Sequence, residues 1–380
     1  MTQTVNRPPA TGAWREGDPV GNRKWFTATE SLPLESGERL PGYRLAYETW
    51  GTLAPDGGNA VLIEHALTAD SHVAGPAGPG HPLPGWWDAL IGPGRGLDPA
   101  EKFIVAANVL GGCQGSTGPA SPSADGQVWG SRFPALTIRD QVAAEVALAD
   151  ALGIARWAAV LGGSMGGMRA LEWAVTCPDR VAALAVIAAP AQSSAEQIAW
   201  SWPQIRAILD DPGWHGGDYH HLPDGEGPHV GLGIARRIAH ITYRSEEELR
   251  TRFGRDPQTG ENPLHGAGRY AVESYLDHHA DKLVDRFDAA SYVTLVRAMD
   301  SHDVGRGRGG VNAALSRIRA KTLVAGVDSD RLYPLAQQVQ LAAAIPTAGQ
   351  AEIISSPYGH DAFLLETAQL TPLITALLHP

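Results

Sequence analysis

Six short apolar runs set the rhythm of the chain: Asn59 to His65, Lys102 to Val109, Ala155 to Leu161, Val181 to Ala188, Thr322 to Val327 and Glu352 to Ser355. Most are rich in Val, Ile, Leu and Ala without strict alternation, the pattern of strands covered on both faces. Between the second and third, Ile138 to Leu152 is amphipathic at helical spacing and is followed by Gly153. Between the third and fourth, a helix-forming stretch ends at Pro178. Strands alternating with helices predict a mainly parallel sheet in an α/β domain. Upstream, Trp25 to Gly51 reads as antiparallel strands turning at Ser36-Gly37 and Pro41-Gly42.

The alternation breaks between about Ala191 and Val311. This stretch reads as helices over Ala195 to Asp210, Gly231 to Arg244, Glu246 to Phe253, Ala271 to Phe287 and Ala289 to Ser301. Inserted between the fourth and fifth strands, it is expected to form a lid over the C-terminal strand ends, where ligands bind in open α/β sheets. The predicted organisation is a leader (1–21), a core (22–190 and 312–380) and a helical lid (191–311). The leader is polar, rich in Pro and Gly and free of an apolar stretch, so it reads as disordered rather than as a signal peptide.

Composition narrows the function classes. The net charge of −11 argues against nucleic acid or an anionic membrane as the main partner. No apolar run is long enough to span a bilayer. The two cysteines, Cys113 and Cys177, imply no disulfide framework and sit in no metal-ligand spacing. A cytoplasmic protein without a metal site is the expectation.

The candidate chemistry centres on Gly162-Gly163-Ser164-Met165-Gly166, a G-x-S-x-G pattern between a buried strand and a helix. A strand turning sharply into a helix at a serine forces a strained backbone there, and the flanking glycines carry no side chain to collide. The hydroxyl is then presented clear of the sheet beside a helix N-terminus. The bland alternative is a glycine-rich turn with an idle serine. A serine nucleophile needs a base, and the base needs an orienting acid, in the chain order Ser, acid, His. His360 follows the last apolar run and is the candidate base; Asp328 and Asp330, after the fifth run, compete as the acid. The oxyanion amides would come from Met165 and from the loop after the first run, where Leu67 is the candidate. The His220-His221 and His278-His279 pairs read as loop and helix-surface residues.

Together with these pieces, several further blocks are informative. They include His65 to Gly75, Gly85-Trp86-Trp87-Asp88, Asn108 to Cys113, Gly231 to Arg236 with Ile241-Thr242-Tyr243, Asp328 to Leu332, and Tyr358 to Phe363. In this order they resemble the homoserine O-acyltransferases of the MetX type, within the α/β-hydrolase fold. The resemblance implies a triad of Ser164, Asp330 and His360, with Leu67 and Met165 as the oxyanion donors. It also implies Arg236 for the substrate carboxylate and Asp361 for its amine. Tyr243, two helical turns on from Arg236, would face the same way.

The implied reaction is ping-pong acyl transfer from acetyl-CoA to L-homoserine, a step toward methionine. CoA acts as a co-substrate, no other cofactor is implied, and the protein is expected as a homodimer paired through lid helices. Succinyl-CoA is the alternative donor, and Arg331-Leu332-Tyr333-Pro334 leans toward acetyl. Serine is the alternative acceptor. The rival classes are a serine esterase or thioesterase with the same triad, and a non-catalytic binding protein of the same fold.

Overall fold

The computed structural model describes residues 7–378. One eight-stranded sheet organises it, in the order β1-β4-β6-β5-β7-β8-β9-β10. The strands are β1 (Lys24–Ala28), β4 (Tyr43–Trp50), β5 (Ala60–Glu64), β6 (Phe103–Ala107), β7 (Ala159–Gly163), β8 (Ala183–Ile187), β9 (Lys321–Val327) and β10 (Glu352–Ile354). A separate small hairpin joins β2 (Leu32–Pro33) to β3 (Arg39–Leu40). β1 and β4 are antiparallel to their neighbours, and the other six strands run parallel.

All residues of β5, β7 and β8 are buried, which is why their sequences do not alternate. Leu62, Val160 and Leu184 point into the layer that holds α1 (Ile138–Ala151) and α2 (Met165–Thr176). Val61, Ile63, Leu161 and Ala185 point into the opposite layer, against Leu370 and Ile374 of the C-terminal helix, residues 367–378. α1 starts at a capping box in which Thr137 accepts from the Asp140 amide (3.2 Å) and Asp140 accepts from the Thr137 amide (2.9 Å).

Between β8 and β9 the chain forms α3 (Ala195–Leu209), α4 (His229–Tyr243), α5 (Glu246–Phe253), α6 (Ala271–Val284), α7 (Ala289–Asp300) and the short α8 (Val311–Leu315). α9 (Leu335–Ala344) follows β9, α10 (Ala362–Leu365) follows the loop after β10, and α11 is the C-terminal helix. Expected and observed ends of these strands and helices differ by at most four residues, and Glu246–Phe253 coincides at both ends. The largest strand shift is at β7, which starts at Ala159 and runs through both glycines before Ser164.

The disordered-leader expectation fails for residues 7–21, while residues 1–6 lie outside the described residues. Ala10, Thr11 and Ala13 are buried. The Gly12 amide donates to the Phe287 carbonyl (3.2 Å), the Trp14 amide to Cys113 (2.9 Å), and the Thr11 hydroxyl to Asp288 (2.8 Å). Small residues and backbone groups hold this strap, so its polar composition hides the attachment.

Candidate active site

The strands deliver the candidate residues to one end of the sheet. β7 ends at Gly163 and α2 begins at Met165, leaving Ser164 at φ 58°, ψ −128°. The tightness of this elbow comes from backbone contact. A Cβ on Gly162 would stand 2.1 Å from the Gly166 carbonyl oxygen, and one on Gly166 would stand 2.0 Å from that of Glu64. The Ser164 amide is tied to Ile187 of β8 (3.0 Å).

The loop after β9 brings Asp330, and the loop after β10 brings His360. His360 Nε2 lies 2.9 Å from Ser164 Oγ, and its Nδ1 lies 2.7 Å from Asp330 Oδ2. The other Asp330 oxygen accepts from the Leu332 and Tyr333 amides (2.8 and 2.9 Å). All three side chains are buried. Burial alone would lower the His360 pKa, but the charge and hydrogen bond of Asp330, with the charge of Asp361, raise it above the ordinary histidine value. Asp328 is engaged elsewhere. It accepts from the Ser355 hydroxyl (2.8 Å) and the Ser356 amide (3.1 Å), tying β9's loop to β10's. Gly359 (φ 66°) lets the last loop turn against the end of α4, where a Cβ would come 2.7 Å from the Tyr243 carbonyl oxygen.

The loop after β5 presents Leu67. Its neighbouring carbonyls are occupied: His65 O by Arg169 (2.8 Å), Ala66 O by the Ala69 amide (3.1 Å), Thr68 O by Arg286 (2.8 Å) and Asp70 O by Trp86 (2.9 Å). Among the described residues, the Leu67 and Met165 amides have no hydrogen-bond acceptor. Two free amides flanking a serine can receive a developing oxyanion.

Arg169 itself is fully buried between Glu64 (3.0 Å) and Glu145 (2.8 Å), beneath the elbow. Burial pushes Glu64 well above its usual range, against the pull of Arg169. His65 does not line the larger cavity at the triad. Its Nδ1 faces the Ala66 carbonyl (2.8 Å), and its Nε2 accepts from the Val109 amide (3.0 Å). Burial and Arg169 push its pKa down to about 3, so it is a neutral brace.

A cavity of about 220 Å³ opens onto the triad, lined by Ser164, His360, Arg236, Tyr243, Arg286 and Asp361 among others. Arg236 and Tyr243 come from α4, and the Arg236 guanidinium lies 5.5 Å from the Tyr243 ring centre. Arg236 makes no ion pair among the described residues, and its Nε is buried without a partner. Asp361 pairs with Arg244 (3.1 Å). Burial raises the Asp361 pKa against the pull of Arg244, His360 and Arg236. A second, smaller cavity of about 40 Å³ touches Ser164 from the α3 and α7 side, with Leu67, Trp200, Asp300 and Tyr333 in its wall. Arg331 lines neither cavity; its guanidinium donates to the Ile241 carbonyl.

Sequence reading missed Arg244 and Arg286, which stand in no motif spacing. It also read His220 as a loop residue and His279 as a helix-surface residue, without their buried contacts. The His220 ring of that loop is packed against buried Asp288 (3.0 Å), and half-buried His279 lies tilted at 4.0 Å from the His240 ring. Three buried donors, Glu48, His72 and His81, gather within 4.8 Å at the cavity rim, a cluster that linear spacing did not reveal. The two imidazoles are stacked at 3.9 Å and 11°, so their in-plane lone pairs run side by side instead of converging on one ion. His72 Nδ1 lies 3.0 Å from Glu48, and His81 Nε2 accepts from the Asn22 amide (3.1 Å). As arranged, the cluster is a hydrogen-bonded brace.

Comparison with known proteins supplies independent findings. A family profile described as the alpha/beta hydrolase fold matches residues 59–367. The chain is 65% identical over 370 residues to a homoserine O-acetyltransferase of Thermobifida fusca, covering 97% of each chain. Among solved structures it resembles a homoserine O-acetyltransferase from Bacillus anthracis (TM-score 0.85, 27% identity, 94% of this chain and 97% of that one). It also resembles esterase E22 (TM-score 0.84, 25% identity, 94% of this chain and 99% of that one).

Proposed function

The chain belongs to the homoserine O-acetyltransferases, acyltransferases of the α/β-hydrolase fold, and on that footing we propose that it moves an acetyl group from acetyl-CoA to the hydroxyl of L-homoserine through an acetyl-Ser164 intermediate. His360 Nε2 takes the Ser164 proton, and Oγ attacks the thioester carbonyl carbon. The Leu67 and Met165 amides receive the oxyanion. As the intermediate collapses, the C–S bond breaks and His360 returns its proton to the departing thiolate, releasing CoA. Asp330 holds the imidazole in orientation and stabilises its charged form. L-Homoserine then enters with its carboxylate at Arg236, beside Tyr243, and its ammonium at Asp361. His360 takes the hydroxyl proton, the oxygen attacks the acetyl carbon, and Ser164 leaves with the proton from His360. O-Acetyl-L-homoserine is the product, and no cofactor beyond the co-substrate CoA ester takes part.

The triad alone does not separate transfer from hydrolysis, since an esterase shares this fold at a TM-score of 0.84. The observation that carries the transferase reading is Arg236: a guanidinium without a carboxylate partner, in the cavity of the nucleophile and beside Asp361. Such a fork suits a carboxylate, and an amino acid held by both ends can outcompete water through orientation. The direction of Arg331 supports the acetyl donor, because its charge is turned to the Ile241 carbonyl and away from both cavities. A homodimer through the lid is favoured by exposed Ile198, Trp202, Val230 and Ile234 on α3 and α4. Among the described residues no helix is long and apolar enough to cross a membrane; with two free cysteines and a CoA ester as donor, we place the enzyme in the cytoplasm.

The test is CoA release with acetyl-CoA and succinyl-CoA, each with and without L-homoserine. Release from acetyl-CoA that needs homoserine and vanishes in Ser164→Ala is expected. Equal release without homoserine would make water the acceptor and the protein a thioesterase. Preference for succinyl-CoA would overturn the donor.

A further inference from the structure

Arg286 lies in the short connection between α6 and α7 and lines the larger cavity. Like Arg236, it makes no ion pair among the described residues. Its Nη1 donates to the Thr68 carbonyl (2.8 Å). Thr68 and Leu67 are the two central residues of the turn closed by the Ala69 amide on the Ala66 carbonyl (3.1 Å). The Thr68 carbonyl shares its peptide plane with the Ala69 amide, and the bond from that amide to the Ala66 carbonyl orients the plane that carries the Leu67 amide. Arg169 holds the other end of the same loop through the His65 carbonyl (2.8 Å).

The segment that carries Arg286 is itself gripped from behind. Gln114 Nε2 donates to the Arg286 carbonyl (2.7 Å), and Gln114 Oε1 accepts from Arg23 (3.2 Å). Gln114 O in turn accepts from Asn108 (2.6 Å), whose side-chain oxygen accepts from the Ser71 amide (2.7 Å). The strap adds the Gly12 bond to Phe287 O (3.2 Å) and the Thr11 bond to Asp288 (2.8 Å). A Cβ on Gly12 would stand 2.5 Å from the Phe287 nitrogen, so the strap lies directly on this connection. This polar relay thus joins the strap, the loop after β6 and the α6–α7 connection to Thr68 and Ser71 of the loop after β5.

We propose that Arg286 is a positioning residue for acyl transfer: it holds the Leu67–Thr68 turn so that the Leu67 amide meets the oxyanion in both half-reactions. The proposal rests on the acetyl-Ser164 reading above. A guanidinium is suited to this role because a charged donor to a carbonyl is stronger than a neutral one, and misplacing a catalytic group by about 1 Å costs about a hundredfold.

The experiment is rapid-quench measurement of the first CoA turnover from acetyl-CoA, without homoserine, alongside steady-state KM for L-homoserine and thermal midpoints. In Arg286→Ala, the burst rate should fall by about ten- to a hundredfold, with KM for homoserine within about twofold of wild type. Arg286→Lys, which keeps a charged donor, should recover most of the burst. Gln114→Ala, which loosens the segment from outside the cavity, should slow the burst by a smaller factor. An unchanged burst with a raised KM in Arg286→Ala would overturn the proposal and make Arg286 a carboxylate ligand. Equal loss in Arg286→Ala and Arg286→Lys, tracking a fall in thermal midpoint, would overturn it in favour of a purely structural part. Absence of any wild-type burst, or its persistence in Ser164→Ala, would instead sink the acyl-serine reading itself.

Discussion

Asp328 and Asp330 stand two residues apart on the same loop, yet only one of them touches His360. Asp330 Oδ2 is 2.7 Å from Nδ1, while Asp328 is spent on Ser355 and the Ser356 amide. Asp330→Asn is therefore expected to cost about 10⁴-fold in kcat, through loss of the correct imidazole tautomer. Asp328→Asn should keep kcat near wild type and lower the thermal midpoint. Homoserine-dependent CoA release and a melt on each variant check this, and equal kcat in the two variants would refute it. The same imidazole sets the pH dependence. His360 must be neutral to take a proton, and Asp330 and Asp361 raise its pKa in spite of burial. Competence is thus lost as pH falls through a value above the ordinary histidine pKa of about 6.5. The acid limb of the acetyl-CoA burst rate should inflect above that value. In Asp361→Asn, which removes one of the raising charges, the limb should move to lower pH; a limb that stays put would show that Asp361 does not act on His360.

The elbow between β7 and α2 is the element whose sequence and structure explain each other most completely. Its glycines are needed for approach: at Gly162 and Gly166 a Cβ would overlap carbonyl oxygens at 2.1 and 2.0 Å, and backbone cannot move aside as a flexible side chain can. Gly166→Ala should cost at least about 3 kcal/mol, the upper end of overpacking penalties. Gly349→Ala, with nothing within 4 Å of a new Cβ, should stay within about 0.5 kcal/mol. Denaturant midpoints compare the two, and similar midpoints would show that the elbow relaxes. This element was legible because a local spacing, an apolar run and a helix start coincide within about fifteen residues. The buried strands were legible for the same reason: burial on both faces writes itself as uninterrupted Val, Leu and Ala. The parts that stayed hidden are made by long-range contact. Arg244 reaches Asp361, Arg286 reaches Thr68, and Thr11 reaches Asp288 across 277 positions. No periodicity records such pairs. His220 is the loop residue it reads as, but nothing near it in sequence announces its contact with the buried carboxylate of Asp288.

At the scale of the whole molecule, the helical insertion between β8 and β9 carries both the residues proposed to recognise the amino acid and an unpaired surface. Among the described residues, six of the fourteen large apolar side chains left exposed lie on α3 and α4: Ile198, Trp200, Trp202, Val230, Ile234 and Ile241. The spacing of Ile198 and Trp202, and of Val230 and Ile234, puts each pair on one face of its helix. Exposed apolar residues concentrated in this way on a chain of net charge −11 mark a contact surface. A second copy is the occupant we expect, and a stable pair would bury on the order of 1,200–2,000 Å² in total. The opposite, buried side of α4 sends Arg236 and Tyr243 to the nucleophile. Dimerisation would therefore brace the helix proposed to recognise the amino acid, while the loop proposed to supply the Leu67 amide is braced from the strap side. Ile234→Asp places a charge on the outer face without entering the cavity. It should shift sedimentation from dimer to monomer at about 10 µM and raise KM for L-homoserine, with the acetyl-CoA burst little changed. A wild-type protein that sediments as a monomer under those conditions would remove the dimer. A monomeric Ile234→Asp with unaltered KM would instead show that α4 needs no partner to hold Arg236 in place.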